Sequence, residues 1–213
     1  MSFPDRLIDG YRAFAEGRLR TEQNRYRELA SSGQSPEILV IGCCDSRVSP
    51  EVIFDARPGE LFVVRNVANL VPPYTPDGAT RAVSAAIEYA VQALKVKHIV
   101  VLGHAHCGGI RAYAEPSATP LSPGDFIGSW MEMIAPAAKK LGAPAGYKSF
   151  EDYIHQLELR AIETTLANLM SFPWVKALVE SGKLGLHGAY FGVAEGELSL
   201  RDPKTGEFNL VIA

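Results

Sequence analysis

All three cysteines and three of the five histidines of this 213-residue chain fall in two short segments. The first reads Ile38-Leu39-Val40-Ile41-Gly42-Cys43-Cys44-Asp45-Ser46-Arg47, the second His98-Ile99-Val100-Val101-Leu102-Gly103-His104-Ala105-His106-Cys107-Gly108-Gly109. Thiolate and imidazole are natural donors for zinc, whose usual home is a tetrahedral Cys/His site. The His104-x-x-Cys107 step lets both side chains reach one ion from a turn, whereas His106 points the other way on an extended segment. Cys43 and Cys44 are adjacent, so they do not ligate together, and a disulfide between them would be strained. Cys43 or Cys44, with His104 and Cys107, gives three protein ligands and leaves a fourth position for water or a carboxylate, the catalytic pattern. A closed site would instead complete itself with both vicinal cysteines or with His106. The plainest alternative, small buried thiols and satisfied histidines, leaves Asp45 and Arg47 without a role. Beside a metal, Arg47 can hold the Asp45 carboxylate bidentately and keep it ionised. A carboxylate so oriented can accept a hydrogen bond from hydroxide on the metal, or take the fourth position itself.

Both segments open on a short, continuous, β-branched apolar run, the pattern of a strand buried on both faces of a parallel sheet. Leu61–Val64, after the Pro58-Gly59 turn, reads the same way. Residues 79–95 place Val83, Ile87, Ala90, Val91 and Leu94 on one helical stripe. Strand, helix and strand in that order predict an α/β fold, a central mainly parallel sheet flanked by helices. In such sheets ligands bind beyond the carboxyl ends of the strands, which is where both chemical segments lie. A loop over 116–125 precedes two further helices, 126–141 and 148–170, separated by Gly142–Gly146. Leu184–Ala194 and Glu197–Arg201 read as a strand and a hairpin arm turning at Glu195-Gly196. Residues 5–30 read as one helix too polar for a core, ended by the turn residues Ser31–Pro36. The expected organisation is a helical arm over 1–33 that contacts a second subunit, and a single α/β zinc-binding domain over 34–213.

Composition narrows the function. Apolar residues make up 47% of the chain and charged residues 21%, as in an ordinary soluble globule. Twenty-one basic against twenty-four acidic side chains leave a net charge of −3, which offers no basic field for nucleic acid. No apolar run approaches the roughly 20 residues of a membrane helix, and the start lacks the features of a signal peptide. Three cysteines make no disulfide framework. A cytoplasmic protein with no nucleic-acid or membrane partner is expected.

The chain resembles the β-class carbonic anhydrases. The likeness rests on Cys43-x-Asp45-Ser46-Arg47 and His104-x-x-Cys107-Gly108-Gly109. It extends through Pro58-Gly59-Glu60, Val64-Arg65-Asn66-Val67-Ala68-Asn69, Asn168-Leu169, Phe172-Pro173-Trp174-Val175 and His187-Gly188. It implies a zinc enzyme, one Zn2+ per subunit, for the reversible hydration of carbon dioxide to bicarbonate and a proton. Hydroxide on the zinc would attack the carbon. By the same resemblance Cys43 rather than Cys44 is the ligand beside His104 and Cys107, and Cys44 and His106 fall on variable positions. Asp45 and Arg47 become the dyad beside the metal, with Asp45 a fourth ligand in a closed state. In the plant-like branch Gln34, Phe62, Val67, Tyr89 and Gly108 fall on substrate-pocket positions. Gln34, Phe62 and Tyr89 would come from the neighbouring subunit, so at least a homodimer is required.

A second branch closes its site with the aspartate and binds bicarbonate in a regulatory pocket. Its tryptophan and tyrosine positions hold Val40 and Phe191 here, although Arg65 is retained. These departures favour the open, plant-like type. Two rival readings stand beside this one: the same scaffold acting on carbonyl sulfide or carbon disulfide, and a redox-sensing zinc protein. The second leaves Asp45 and Arg47 unused.

Overall fold

The apolar runs become strands β1 (Ile38–Cys43), β2 (Leu61–Asn66) and β3 (His98–His104) in the computed structural model, which describes residues 3–115 and 119–212. With β4 (Gly185–Gly192), β5 (Glu197–Arg201) and β6 (Phe208–Leu210) they form one sheet in the order β2-β1-β3-β4-β5-β6. The first four strands are parallel, and β5 and β6 return antiparallel. The chain moves outward from β1 to β2, then passes back over β1 to reach β3. The strand order therefore reverses between β1 and β3, the point beyond whose carboxyl ends open sheets of this kind bind ligands.

Nine helices are described: α1 (Asp5–Glu16), α2 (Arg18–Ser32), α3 (Pro50–Ile53), α4 (Ala82–Glu88), α5 (Gly108–Ala114), α6 (Phe126–Met131), α7 (Ala135–Leu141), α8 (Phe150–Leu169) and α9 (Pro173–Glu180). Alternation along the strands divides the core. Leu39, Ile41, Ile99 and Val101 point to one face and pack with Ile87, Leu169, Phe172 and Val175. Val40, Leu102 and Ala189 point to the other, where only half-buried residues such as Ile38, Ile53 and Leu61 join them. A further cluster gathers beyond the strand ends, where Cys43 and Cys107 pack among Ala68, Ile110, Met131, Ile154 and Leu157.

The single helix expected over 5–30 is two. It breaks at Gly17, a residue with little helix propensity, and Phe14 meets Tyr26 edge-on across the break, ring centroids 6.1 Å apart. Neither helix has a buried residue. α2 lies along the 56–59 loop, Arg18 donating to the Ala56 carbonyl and Arg25 to that of Pro58. The helix expected from 79 begins at Ala82, because Asp77 ties down the Ala79 amide and the Arg81 guanidinium just before it. It ends in a π-helical turn over Tyr89–Ala93. The loop expected over 116–125 is described from 119, where it runs as bends and turns, and residues 116–118 lie outside the described residues.

Candidate metal centre

Two parallel strand ends make the site. Register places Gly42 beside Leu102, so Cys43, the last residue of β1, sits level with the end of β3. β3 ends on His104, opposite Phe191 of β4, and the Phe191 carbonyl still takes the next amide, Ala105, at 2.9 Å. His106 then turns the chain at φ +56°, and Cys107 caps the start of α5. The two sulfurs and a His104 ring nitrogen lie within 4.8 Å of one another, and all three residues are buried.

The His104 Nδ1 lies 2.9 Å from the Ala105 carbonyl oxygen. A carbonyl only accepts, so Nδ1 carries the proton and Nε2 presents its lone pair. Nε2 is buried and has no hydrogen-bond partner among the described residues. An orphaned imidazole nitrogen between two thiol sulfurs is what a soft-to-borderline divalent cation would satisfy, so the donor set fits a metal. The neighbouring Cys107 thiol holds Cys43 well below the usual thiol range. The same contact, with burial, pushes Cys107 up. The Ala68 amide also donates to Cys43 Sγ at 3.3 Å.

Asp45 stands over this group. Its Oδ2 is 4.0 Å from His104 Nε2. Arg47 holds it with Nε on Oδ1 at 2.9 Å, Nη2 on Oδ2 at 2.6 Å and its own amide on Oδ1 at 3.0 Å. That hydrogen bonding keeps the carboxyl well below the usual carboxylate range. The carboxylate is thus engaged on both oxygens by Arg47. Arg47 Nη2 also reaches the His106 carbonyl at 3.0 Å, tying the turn after β1 to the turn after β3.

The other expected residues divide. Gly108 opens α5 beside Cys107, and Val67 lies against Gly109, where an added Cβ would come within 2.6 Å of it. Phe62 and Tyr89 pair with ring centroids 5.9 Å apart, but Phe62 is paired with Leu39, four residues before Cys43. At roughly 3.3 Å per residue this is about 13 Å back along the strand. Gln34 is exposed between α2 and β1. One chain therefore does not bring Gln34, Phe62 or Tyr89 to the sulfurs. Cys44 is exposed, away from the buried pair.

Two residues near the site were not among the expected metal ligands, dyad or substrate pocket. Arg65 donates to the carbonyls of Cys43 at 2.9 Å, Asp45 at 2.7 Å and Val48 at 3.4 Å, bracing the whole turn. Glu158 is buried on α8, where its Oε1 accepts from the Cys107 amide at 2.9 Å. Burial pushes its carboxyl up, and that hydrogen bond opposes the shift. The signal for Glu158 was present: it lies on the buried stripe of Ile154, Leu157, Ala161 and Ile162, where a carboxylate needs a partner.

Comparison with known proteins agrees with this geometry. Residues 38–198 match the family model described as carbonic anhydrase. The chain is 37% identical to β carbonic anhydrase 3 of Arabidopsis thaliana over 92% of its own length and 76% of that protein's. It is 36% identical to the chloroplastic β carbonic anhydrase 5 of the same plant, over 90% of its length and 62% of that protein's. Among solved structures, the β-carbonic anhydrase CcaA superposes with a TM-score of 0.89 at 32% identity, covering 97% of this chain and 98% of that one. The Coccomyxa β-carbonic anhydrase, solved with acetazolamide, gives 0.79 at 30% identity over 93% and 86%. Matched along most of its length and carrying the Cys43, His104 and Cys107 cluster at its strand ends, the chain belongs to the β-class carbonic anhydrases, enzymes of reversible carbon dioxide hydration.

Proposed function

We propose that this chain hydrates carbon dioxide with zinc held by Cys43, His104 and Cys107. The observation that carries the reading is the unpartnered His104 Nε2 between two thiol sulfurs, beneath a carboxylate fixed by Arg47. Zinc bound there supplies a Lewis acid that makes a nucleophile of water near neutral pH. Asp45, ionised and acceptor-only, would accept a hydrogen bond from a hydroxyl placed beside it and so orient that oxygen's lone pair toward the substrate carbon, without itself taking the proton. Arg47 keeps Asp45 off the metal, which supports the open, plant-like arrangement. Val67 and the Cβ-free backbone at Gly108 leave a small apolar wall beside the sulfurs, suited to an uncharged, gas-sized molecule.

The rest of the pocket comes from a second copy of the chain, which supplies Gln34, Phe62 and Tyr89. Three features support this: Tyr89 is 50% exposed, α1 exposes Leu7 and Tyr11, and the sheet face bearing Val40 and Leu102 is thinly covered. Two β-carbonic anhydrases of Sordaria macrospora, at 29% identity and a TM-score of 0.77, are described as tetrameric. Three free thiols suit a reducing compartment.

The test is stopped-flow hydration of carbon dioxide by protein of known zinc content, from about pH 6.5 to 9, a range that brackets the pKa of water on zinc. Fast turnover rising smoothly with pH is expected. An abrupt onset only above about pH 8 would mean that Asp45 closes onto the metal below it. Zinc-loaded protein inactive throughout would overturn the reading and leave the sulfur gases as the next substrates.

A further inference from the structure

The turn that carries two of the three sulfur and nitrogen donors is held from outside its own sequence. His106 at φ +56° takes the chain out of the β3–β4 ladder, so the Cys107 amide has no strand to pair with. It is also among the first amides of α5, which no helical carbonyl can satisfy. Glu158 accepts it at 2.9 Å from α8. The carbonyl of the same peptide unit, that of His106, is taken at 3.0 Å by Arg47 from the opposite side. Both polar ends of one peptide plane are therefore fixed by side chains remote in sequence, and that plane, with Cys107 at φ −66° entering α5, sets the direction of the Cys107 Cα–Cβ bond.

Glu158 is itself held. Its Oε2 accepts the Tyr190 hydroxyl at 2.7 Å, and that oxygen lies 3.0 Å from His155 Nδ1 at the wall of a cavity of about 790 Å³. Among the described residues no lysine or arginine pairs with Glu158, which is 4% exposed. A buried carboxylate with two neutral donors is a costly choice for packing alone, since an apolar side chain would fill the space without desolvating a charge.

We propose that Glu158 is a positioning residue: with Arg47 it clamps the His106–Cys107 peptide and so aims the Cys107 sulfur at the metal. The proposal rests on the metal reading above. Groups that orient metal ligands in this way are worth about 10–100-fold in affinity or activity.

The test compares Glu158→Ala, Glu158→Gln and Tyr190→Phe with the parent, reading zinc affinity by chelator competition and the visible spectrum after cobalt substitution. Leu169→Val, a core change at the far end of the same helix and in the cluster that holds neither cysteine, shows what loss of packing alone does. Glu158→Ala is expected to bind zinc about 10–100-fold more weakly and to shift the thiolate-to-cobalt bands. Glu158→Gln, which still offers an oxygen to the Cys107 amide, should recover affinity to within about threefold of the parent. Leu169→Val should lower the thermal midpoint and leave the spectrum unmoved. A folded Glu158→Ala protein with parental affinity and spectrum would overturn the proposal, as would Glu158→Gln failing as badly as alanine. If Glu158→Ala does not fold, Tyr190→Phe decides. Loosening the carboxylate should then shift the cobalt bands, and an unchanged spectrum refutes the clamp. A parent protein that takes up neither zinc nor cobalt would refute the metal reading instead.

Discussion

Replacing Arg47 by lysine separates what the Asp45–Arg47 pair does for stability from what it does for catalysis. The arginine places Nε on Oδ1 and Nη2 on both Oδ2 and the His106 carbonyl. A single ammonium can reproduce one of these contacts but not the fork. The charge survives, and so does most of the attraction, which at 2.6 Å is about 1.6 kcal/mol in water-like surroundings. The Arg47 side chain is 47% exposed, so water recovers the lost donors. Exposed pairs contribute about 0.2–1 kcal/mol, and Arg47→Lys should cost the fold less than about 1 kcal/mol.

The sign with pH follows from the depressed Asp45 pKa. The pair's stabilisation is fully present above the unfolded value of 3.8 and fades as pH falls through the folded value below it. Urea titration at neutral pH therefore reads the whole contribution. Activity should respond more strongly, because a carboxylate free to swing no longer fixes the nucleophile, and such misplacement costs about 100-fold. We expect kcat/KM for hydration, measured on protein saturated with zinc, to fall about 10–100-fold, or about 1.4–2.7 kcal/mol at the transition state. The reasoning fails if kcat/KM stays within about twofold of the parent. It also fails if saturating zinc alone restores the parental rate, or if the change costs more than about 2 kcal/mol of stability.

Three other outcomes are expected. In zinc-loaded protein a thiol reagent should react rapidly with exposed Cys44 alone, and chelation should release buried Cys43 and Cys107; equal rates at all three before chelation would contradict the ligand assignment. Gly103→Ala should lose about 1–3 kcal/mol in urea unfolding, because its new Cβ would lie 2.6 Å from Ile162 Cδ1; adding Ile162→Val should restore part of that. His187, whose ring lies 3.1 Å from that of His98, has its pKa lowered from 6.5 by burial and then by His98. The unfolded chain takes up the proton first, so stability is lost as pH drops below about 6.5. The thermal midpoint of His187→Gln should fall less steeply than the parent's over that interval.

Much of this was readable beforehand, for physical reasons. Ile38–Ile41 and His98–Leu102 are apolar without alternation, which only a strand covered on both faces tolerates, and their outgoing residues fixed where chemistry would gather. Cys43, His104 and Cys107 announce themselves by residue type. Arg65 and Glu158 are harder to place, because their work is done on backbone groups: the buried helical stripe marks Glu158 as needing a partner, but the amide or carbonyl that each serves leaves no mark in the sequence until the turn exists. The break at Gly17 and the π-helical turn after Glu88 were missed for a related reason. The apolar spacing runs on through both, and the interruption comes from local backbone and tertiary contacts. Short α5 and α9 carry too few turns for a periodic pattern to emerge.

The reversal of strand order between β1 and β3 has a consequence during synthesis. Cys43 and Cys44 leave the ribosome roughly sixty residues before Cys107, and β2 is made in between. At about 5–20 residues per second that interval lasts several seconds. Throughout it the nascent chain presents two neighbouring thiols with neither the histidine nor the third sulfur that would complete a tetrahedral grip. A metal captured then is held only loosely, and an oxidant meets an unprotected pair. Secure loading must wait until β3 has docked against β1, so metal occupancy in newly made protein reports that the centre of the sheet has closed.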